Sequence, residues 1–212
     1  MNRPFLEING RVPPRAFTLV EMLVVLAILA ILAVLVIPSL GPLMRSYALN
    51  SASSMITDEL TYAHQAALTR NAAVEVRIYQ TGSSANANDL QYRAIRSVLS
   101  ASNQPLDKIK YLPSQVIISS NTNYSTLIST NSSANGISTN SEALPGGGVT
   151  NYISFQFRAT GGTTLTPVTG TGSTWYLALF PENAYTNSAG MPNNYVTVQV
   201  DPVTGNVKTY RP

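Results

Sequence analysis

Apolar side chains follow three successive patterns along this chain. In the first, every residue from 17 to 37 is apolar except Thr18 and Glu21. At about 1.5 Å per residue, this segment would form a helix about 31 Å long, enough to cross a hydrocarbon core of about 30 Å. We therefore predict a transmembrane and assembly helix over residues 17–42, which Pro38 bends or interrupts as it leaves the bilayer.

The second pattern covers residues 43–70, where apolar side chains recur at helical spacing. Its members are Met44, Ala48, Ala52, Met55, Ile56, Leu60, Ala63 and Ala67. An amphipathic helix of this kind buries its apolar stripe, and we expect a β-sheet to cover it. Asn71 is the predicted end of the helix.

The third pattern is an alternation of apolar and polar residues that begins at Val74 and is typical of half-buried strands. Strands are predicted at about 74–79, 90–97, 109–119, 152–159, 174–180, 194–200 and 206–210. Residues 119–150 are mainly Ser, Thr and Asn, which favours one long mobile surface loop. A long helix followed by seven strands predicts an α+β fold, with the helix packed on an antiparallel β-sheet in a globular domain over residues 43–212.

Charge is concentrated in residues 1–16, which we interpret as a leader peptide. The formal net charge is +3; this segment holds Arg3, Arg11 and Arg15 against Glu7, a net of +2, so 3 − 2 = +1 remains. The positive-inside rule keeps Arg11 and Arg15 on the cytoplasmic side, so the C-terminal domain should face outward. The nearly neutral remainder is poor support for nucleic-acid binding.

Glu21 is the residue of the apolar segment that most requires an explanation. A carboxylate well inside a membrane costs roughly 2.5–3.5 kcal/mol, and its position only about 6 Å along the helix from Phe17 reduces that cost. Such a charge indicates a specific role with a cationic partner. The alternatives are a charge tolerated near the membrane interface, a simple anchor, which gives no reason to retain Glu21, and a secretory signal, which needs a shorter apolar core.

The sequence Ala-Phe-Thr-Leu-Val-Glu at residues 16–21, behind a basic leader, resembles the class III signal of type IV pilins and type II secretion pseudopilins. The resemblance implies that a prepilin peptidase cuts between Ala16 and Phe17, where the family usually has Gly before the cut, and that Phe17 is then N-methylated. It also implies that Glu21 neutralises the N-terminal amine of a neighbouring subunit and that Pro38 is the helix-bending proline. The fold that it implies is pilin-like.

Two further segments carry narrower resemblances. Residues 60–76 are similar to the junction of helix and first strand in the GspH/FimT group of minor pseudopilins. Residues 44–47, 67–71 and 201–212 together look more like the Verru_Chthon cassette protein D group, which carries a pilin-type signal.

The chain has few of the side chains that a catalytic or metal site would require. The chain has no cysteine and one histidine, His64, which excludes Cys–His dyads and is not accompanied by a nucleophile motif for a triad. We interpret His64 as structural, and we expect no catalytic residues, no metal and no cofactor. DNA-uptake members of the GspH/FimT group bind DNA through C-terminal arginines, and Lys208 and Arg211 occupy a comparable place, but two cations offer few phosphate contacts.

These observations predict a structural subunit, not an enzyme, of a type IV pilus or type II secretion-like filament assembled at the inner membrane. Its expected partners are other pilin-like subunits, the prepilin peptidase and the inner membrane, and nucleic acid is not expected among them. The subunit would cross the inner membrane once, with its C-terminal domain outside the cytoplasm, and would then join a periplasmic or cell-surface filament. The alternatives are a minor pilin that binds DNA during uptake and a membrane-anchored extracytoplasmic protein of other function.

Overall fold

The computed structural model describes residues 17–81, 91–128, 135–145, 148–167, 174–182 and 192–211, without the side chains of residues 34–40. The chain divides into two compact units, Met1–Leu43 and Met44–Pro212. The described elements are α1 (Leu19–Arg70), β1 (Val74–Thr81), β2 (Gln91–Leu99), β3 (Lys110–Tyr111), β4 (Val116–Ile118), a 3-10 helix (Thr126–Ile128), β5 (Ser138–Ala143), β6 (Val149–Phe157), β7 (Trp175–Pro181), β8 (Val196–Val200) and β9 (Val207–Tyr210).

Helix α1 ends where the sequence predicts, because Asn71 adopts a left-handed conformation with φ of 49°. The Asn71 amide donates to the Leu68 carbonyl at 3.4 Å, and the Ala72 amide donates to the Ala67 carbonyl at 3.2 Å. This pair of bonds is the Schellman arrangement, which satisfies carbonyls that the last helical turn leaves open. Asparagine tolerates this conformation better than most residues with a side chain, so the stop is encoded locally.

The apolar stripe of α1 within the second unit is packed against the sheet, as predicted. Its fully or nearly fully buried apolar members are Leu49, Ala52, Ile56, Leu60, Ala63, Ala66 and Ala67. Met44, which the sequence pattern places in the same stripe, is instead 59% exposed. It lies five residues before Leu49, which at 3.6 residues per turn is about 140° around the helix from the buried face.

The strands form one antiparallel sheet, so the predicted α+β fold class is confirmed. Among the described residues its order is β5-β6-β1-β2-β4-β7-β8-β9, and β3 pairs with β2 beside this path. The central strand β1 pairs Ile78 with Ile95 of β2 and with Ile153 of β6. These residues belong to the buried core on the helix side of the sheet, since alternate residues of a strand face one side.

Two sequence-based boundaries require correction. The single strand predicted at 109–119 is divided into β3 and β4, with Pro113 between them, because proline has no amide to donate to a sheet ladder. The predicted loop 119–150 contains β5 and the 3-10 helix Thr126–Ile128, and Leu127 and Ile128 are buried. Residues 129–134 and 146–147 of that predicted loop lie outside the described residues.

Strand β5 escapes prediction because it has no apolar alternation. Its sequence is Ser-Thr-Asn-Ser-Glu-Ala, and it forms an edge of the sheet through pairing with β6. An edge strand with little burial gains its backbone hydrogen bonds from its neighbour, so its side chains are free to be polar. Local composition therefore does not distinguish it from a loop.

Glu142 of β5 is held by buried groups of the neighbouring strands. Its Oε2 accepts hydrogen bonds of 2.9 Å from Arg77 and from the Tyr79 hydroxyl, and its Oε1 accepts one from Arg96. Both arginines are nearly inaccessible to solvent, at 4% and 6% exposure. Burial raises the pKa of Glu142, but the hydrogen bonds from Arg96, Tyr79 and Arg77 outweigh it and leave that pKa below its ordinary value of 4.5.

We expect Glu142→Gln to lower the free energy of unfolding by about 2 kcal/mol at neutral pH, because it weakens charge-assisted hydrogen bonds to buried guanidinium groups. A carboxylate whose pKa is lowered on folding contributes stability above its unfolded value and loses it as the pH falls through the folded value. The difference in the free energy of unfolding between variant and wild type should therefore shrink towards zero in a pH series from 7 to about 2. Denaturant unfolding followed by Trp175 fluorescence measures it.

Glu182→Gln is the matched control for this change. Glu182 also pairs with an arginine, Arg93, but their side chains are 40% and 21% exposed. A partly solvated pair of this kind contributes about 0–1 kcal/mol. Equal losses from Glu182→Gln and Glu142→Gln, or a loss for Glu142→Gln that persists at low pH, would contradict the buried-cluster explanation.

Candidate assembly site

The beginning of α1 is fixed by a reciprocal pair of hydrogen bonds between Thr18 and Glu21. The Thr18 hydroxyl oxygen accepts from the Glu21 amide at 3.2 Å, and Glu21 Oε2 accepts from the Thr18 amide at 3.3 Å. This is a capping box, in which two amides that the first helical turn leaves open are both satisfied. The Thr-x-x-Glu spacing that encodes it is visible in the sequence, and it is the signal that the sequence analysis missed.

The capping box leaves part of the Glu21 carboxylate available. Oε2 takes both contacts, since the Thr18 hydroxyl also lies 3.5 Å from it, while Oε1 accepts no hydrogen bond from the described residues. Glu21 itself is exposed. A carboxylate oxygen with lone pairs unused can accept from a cation, so the local geometry allows both a cap and an ionic partner.

The apolar side chains of residues 17–33 are exposed on every side of the helix. The large members are Phe17, Leu19, Val20, Met22, Leu23, Val24, Val25, Leu26, Ile28, Leu29, Ile31 and Leu32, with exposures from 46% to 82%. A helix that is apolar all round is stable only where lipid or other apolar helices surround it. A surface of this extent therefore marks a site of association.

In the part of the chain that the structure describes, no helix is both long enough and apolar enough to cross a membrane. The span predicted over residues 17–37 extends into residues 34–40, whose side chains lie outside that description.

Comparison with known proteins adds one decisive observation. The prokaryotic N-terminal methylation motif matches residues 14–37, the same segment that carries Phe17, the capping box and the exposed apolar helix. Residues 14–37 therefore carry a prepilin-type signal. This match confirms the predicted relation to type IV pilins and pseudopilins, whereas the narrower likeness to the Verru_Chthon cassette protein D group stays a prediction.

One solved structure is similar to this chain over most of its length. It is the minor pseudopilin EpsH from the type 2 secretion system of Vibrio cholerae, with a TM-score of 0.41 and 10% sequence identity. The match covers 77% of this chain and 97% of the EpsH chain. No curated protein matches the sequence.

The structure does not describe the side chains of the other two residues predicted for cleavage and assembly. Ala16 lies within residues 1–16, outside the described part of the chain, and Pro38 lies within residues 34–40. Helix α1 is nevertheless continuous through Pro38 and Pro42, so the predicted interruption of the helix is not found there.

The two cations considered for DNA contact lie at the C-terminal edge strand. Lys208 is exposed on β9, where it pairs with Gln199 of β8. Arg211 is bound to neutral oxygens, donating to Asn50 and Ser46 of α1 and to Asn194. The guanidinium therefore fastens the end of the chain to the helix, a role that sequence alone did not indicate.

The imidazole ring of His64 packs against an aromatic neighbour. It stacks on Phe157 with ring centroids 5.3 Å apart. Gly205, with φ of +70°, allows the backbone to approach the same ring, since a side chain there would begin 2.9 Å from His64 Nε2. The ring is therefore closely packed, and the structural role of His64 stays a prediction.

Proposed function

We propose that this protein is a structural subunit of a filament of the type IV pilus or type II secretion kind. The observation that carries the proposal is the methylation motif over residues 14–37, which coincides with an exposed, wholly apolar stretch of α1 that begins at a capped Thr18–Glu21 pair. An element of that character requires apolar neighbours, which other subunits and the inner membrane both supply.

Several finer statements belong to the same proposal. The prepilin peptidase removes residues 1–16, and the new amino group of Phe17 is methylated. Glu21 pairs with that amino group on a neighbouring subunit. The C-terminal unit lies outside the cytoplasm and carries no catalytic activity. Before assembly the subunit is anchored in the inner membrane by the segment that begins at Phe17, a proposal supported by the apolar sequence over residues 17–37.

The proposal is tested by the mass of the mature chain. We expect the protein extracted from membranes of its own host to begin at Phe17 and to carry one methyl group on its amino terminus. Top-down mass spectrometry identifies both. A mature chain that begins at Met1, or beyond Pro38, would overturn the assignment as a pilin-like subunit.

Substitution of Ala16 gives the internal control for processing. We expect Ala16→Gly to be processed at least as well as the wild type, because the signal that the chain resembles has Gly before the cut. Ala16→Trp should leave the leader attached, since a small residue is required there. Equal processing of both variants would mean that the cut does not depend on this position.

A further inference from the structure

A groove of about 440 Å³ lies on the sheet face opposite α1, across β7, β8 and β9. Three tyrosines and three polar residues that line it form what we call the tyrosine groove: Tyr176, Tyr195, Tyr210, Thr197, Gln199 and Arg211. Strand pairing brings these residues together, because Tyr176 pairs with Gln199 and Thr197 pairs with Tyr210. Their neighbours in β8, Val196, Val198 and Val200, face the opposite way and are buried in the core.

Two of the three rings are held in place before any ligand binds. The Tyr176 hydroxyl donates to the Asn123 carbonyl at 2.9 Å. Tyr195 meets Phe180 in an edge-to-face contact, with ring centroids 6.4 Å apart. Rings fixed in this way lose little rotamer entropy on binding, so the groove presents a preorganised aromatic surface.

Arg211 brings one positive charge to the groove, at the sheet edge where its guanidinium also contacts α1. Its partners Asn50, Ser46 and Asn194 are neutral, and within the described ranges no carboxylate forms an ion pair with it. Three hydrogen bonds leave donors of the five-donor guanidinium unused. A ligand carboxylate could accept from them, which adds charge complementarity to the aromatic surface.

Neutral hydrogen-bonding groups complete the lining. The side chains of Thr197 and Gln199 make no hydrogen bond to any other described residue, although both lie on the groove face. A hydroxyl and an amide together offer donors and acceptors. Ligands rich in hydroxyl groups satisfy such a set, whereas an apolar ligand would leave it without partners.

We propose that the tyrosine groove binds an acidic oligosaccharide built from uronic acid units. The apolar face of a sugar ring packs on the tyrosine rings, the hydroxyls bond to Thr197 and Gln199, and one carboxylate pairs with Arg211. Single-stranded DNA would also stack on tyrosines, but it requires a row of cations along its backbone, and Arg211 is the one cation in the groove lining formed by described residues.

The test uses the full chain in a detergent without a sugar headgroup, titrated by calorimetry with hexagalacturonate and with hexamannuronate. We expect saturable binding of at least one of them. Tyr210→Ala should weaken it about 10-fold or more, since the sugar ring loses one of the aromatic rings on which it packs. Absence of binding by both probes at millimolar concentration would overturn the proposal.

Tyr111→Ala is the matched control, because Tyr111 on β3 is 53% exposed and Tyr210 is 51% exposed. It should bind hexagalacturonate as the wild type does. Should Tyr210→Ala fail to fold, Gln199→Glu takes its place, since a carboxylate on the groove face should repel the uronate. Retained affinity in Gln199→Glu would contradict the proposed site.

The charge is tested with the fully methyl-esterified hexagalacturonate, which has the same rings and hydroxyls. We expect it to bind at least 10-fold more weakly than the free acid, because the partner of Arg211 is lost. Equal affinity would overturn the acidic part of the proposal. Binding of oligothymidylate more tightly than either uronate, with loss on Lys208→Ala, would instead assign the groove to single-stranded nucleic acid.

Discussion

Glu21→Ala is expected to abolish incorporation of this subunit into filaments. In the proposed assembly the amine of Phe17 lies among apolar helices, and removal of the carboxylate leaves that amine buried without a partner. Breaking one member of a buried ion pair costs about 3–5 kcal/mol, which lowers incorporation by about 100-fold or more. The measurement is the amount of subunit in sheared filaments relative to the amount in the membrane fraction.

The capping box makes Glu21→Gln the informative companion. Glutamine at this position can still accept from the Thr18 amide, so it retains the cap while it removes the charge. If Glu21 serves assembly as an ion, Glu21→Gln should fail as Glu21→Ala does. If its role is only to begin α1, Glu21→Gln should assemble normally.

Thr18→Ala also distinguishes the capping role of Glu21 from its ionic role, because it weakens the cap and keeps the charge. It removes the hydroxyl that accepts from the Glu21 amide at 3.2 Å but leaves the carboxylate in place. Loss of a helix cap costs about 1 kcal/mol, so we expect reduced but clear incorporation. Loss of assembly in Thr18→Ala together with normal assembly in Glu21→Gln would reject the ion-pair hypothesis.

Lys110→Met is expected to destabilise the C-terminal unit by about 3 kcal/mol. Glu59 of α1 is fully buried, its Oε1 accepts from the Ser97 hydroxyl, and Lys110 Nζ lies 2.7 Å from its Oε2. The contact with Glu59 raises the pKa of Lys110, and burial opposes the rise. Without the lysine, a carboxylate is left uncompensated between helix and sheet, which is the costly state of a buried pair.

Two further variants make this result interpretable. Lys108→Met, at an exposed lysine two residues earlier, should change the free energy of unfolding by less than about 0.5 kcal/mol. The double variant Glu59→Leu with Lys110→Met should recover part of the loss, because it leaves no buried charge, although the buried Ser97 hydroxyl loses its acceptor. Denaturant unfolding followed through Trp175, the one tryptophan, measures all three. A double variant less stable than Lys110→Met would contradict the explanation by an uncompensated carboxylate.

Local signals in the sequence determined the ends of α1 and the beginning of the sheet. Thr18 and Glu21 are one helical turn apart, so the capping box depends on no distant residue. Asn71 ends the helix by its own left-handed conformation, and the alternation from Val74 specifies β1. The family motif over residues 14–37 is equally local, which is why residue order alone identified it.

The tertiary structure decided what depends on strand pairing. Glutamate is usually a surface residue. Glu59 becomes a buried carboxylate with Lys110 as its partner only because β2 and β3 approach α1. Strand β5 has no apolar pattern, and pairing with β6 creates it. The tyrosine groove joins positions on three strands whose spacing carries no periodic signal. The apolar pattern of a strand fixes which of its faces is buried, but it does not name the distant strand with which it pairs.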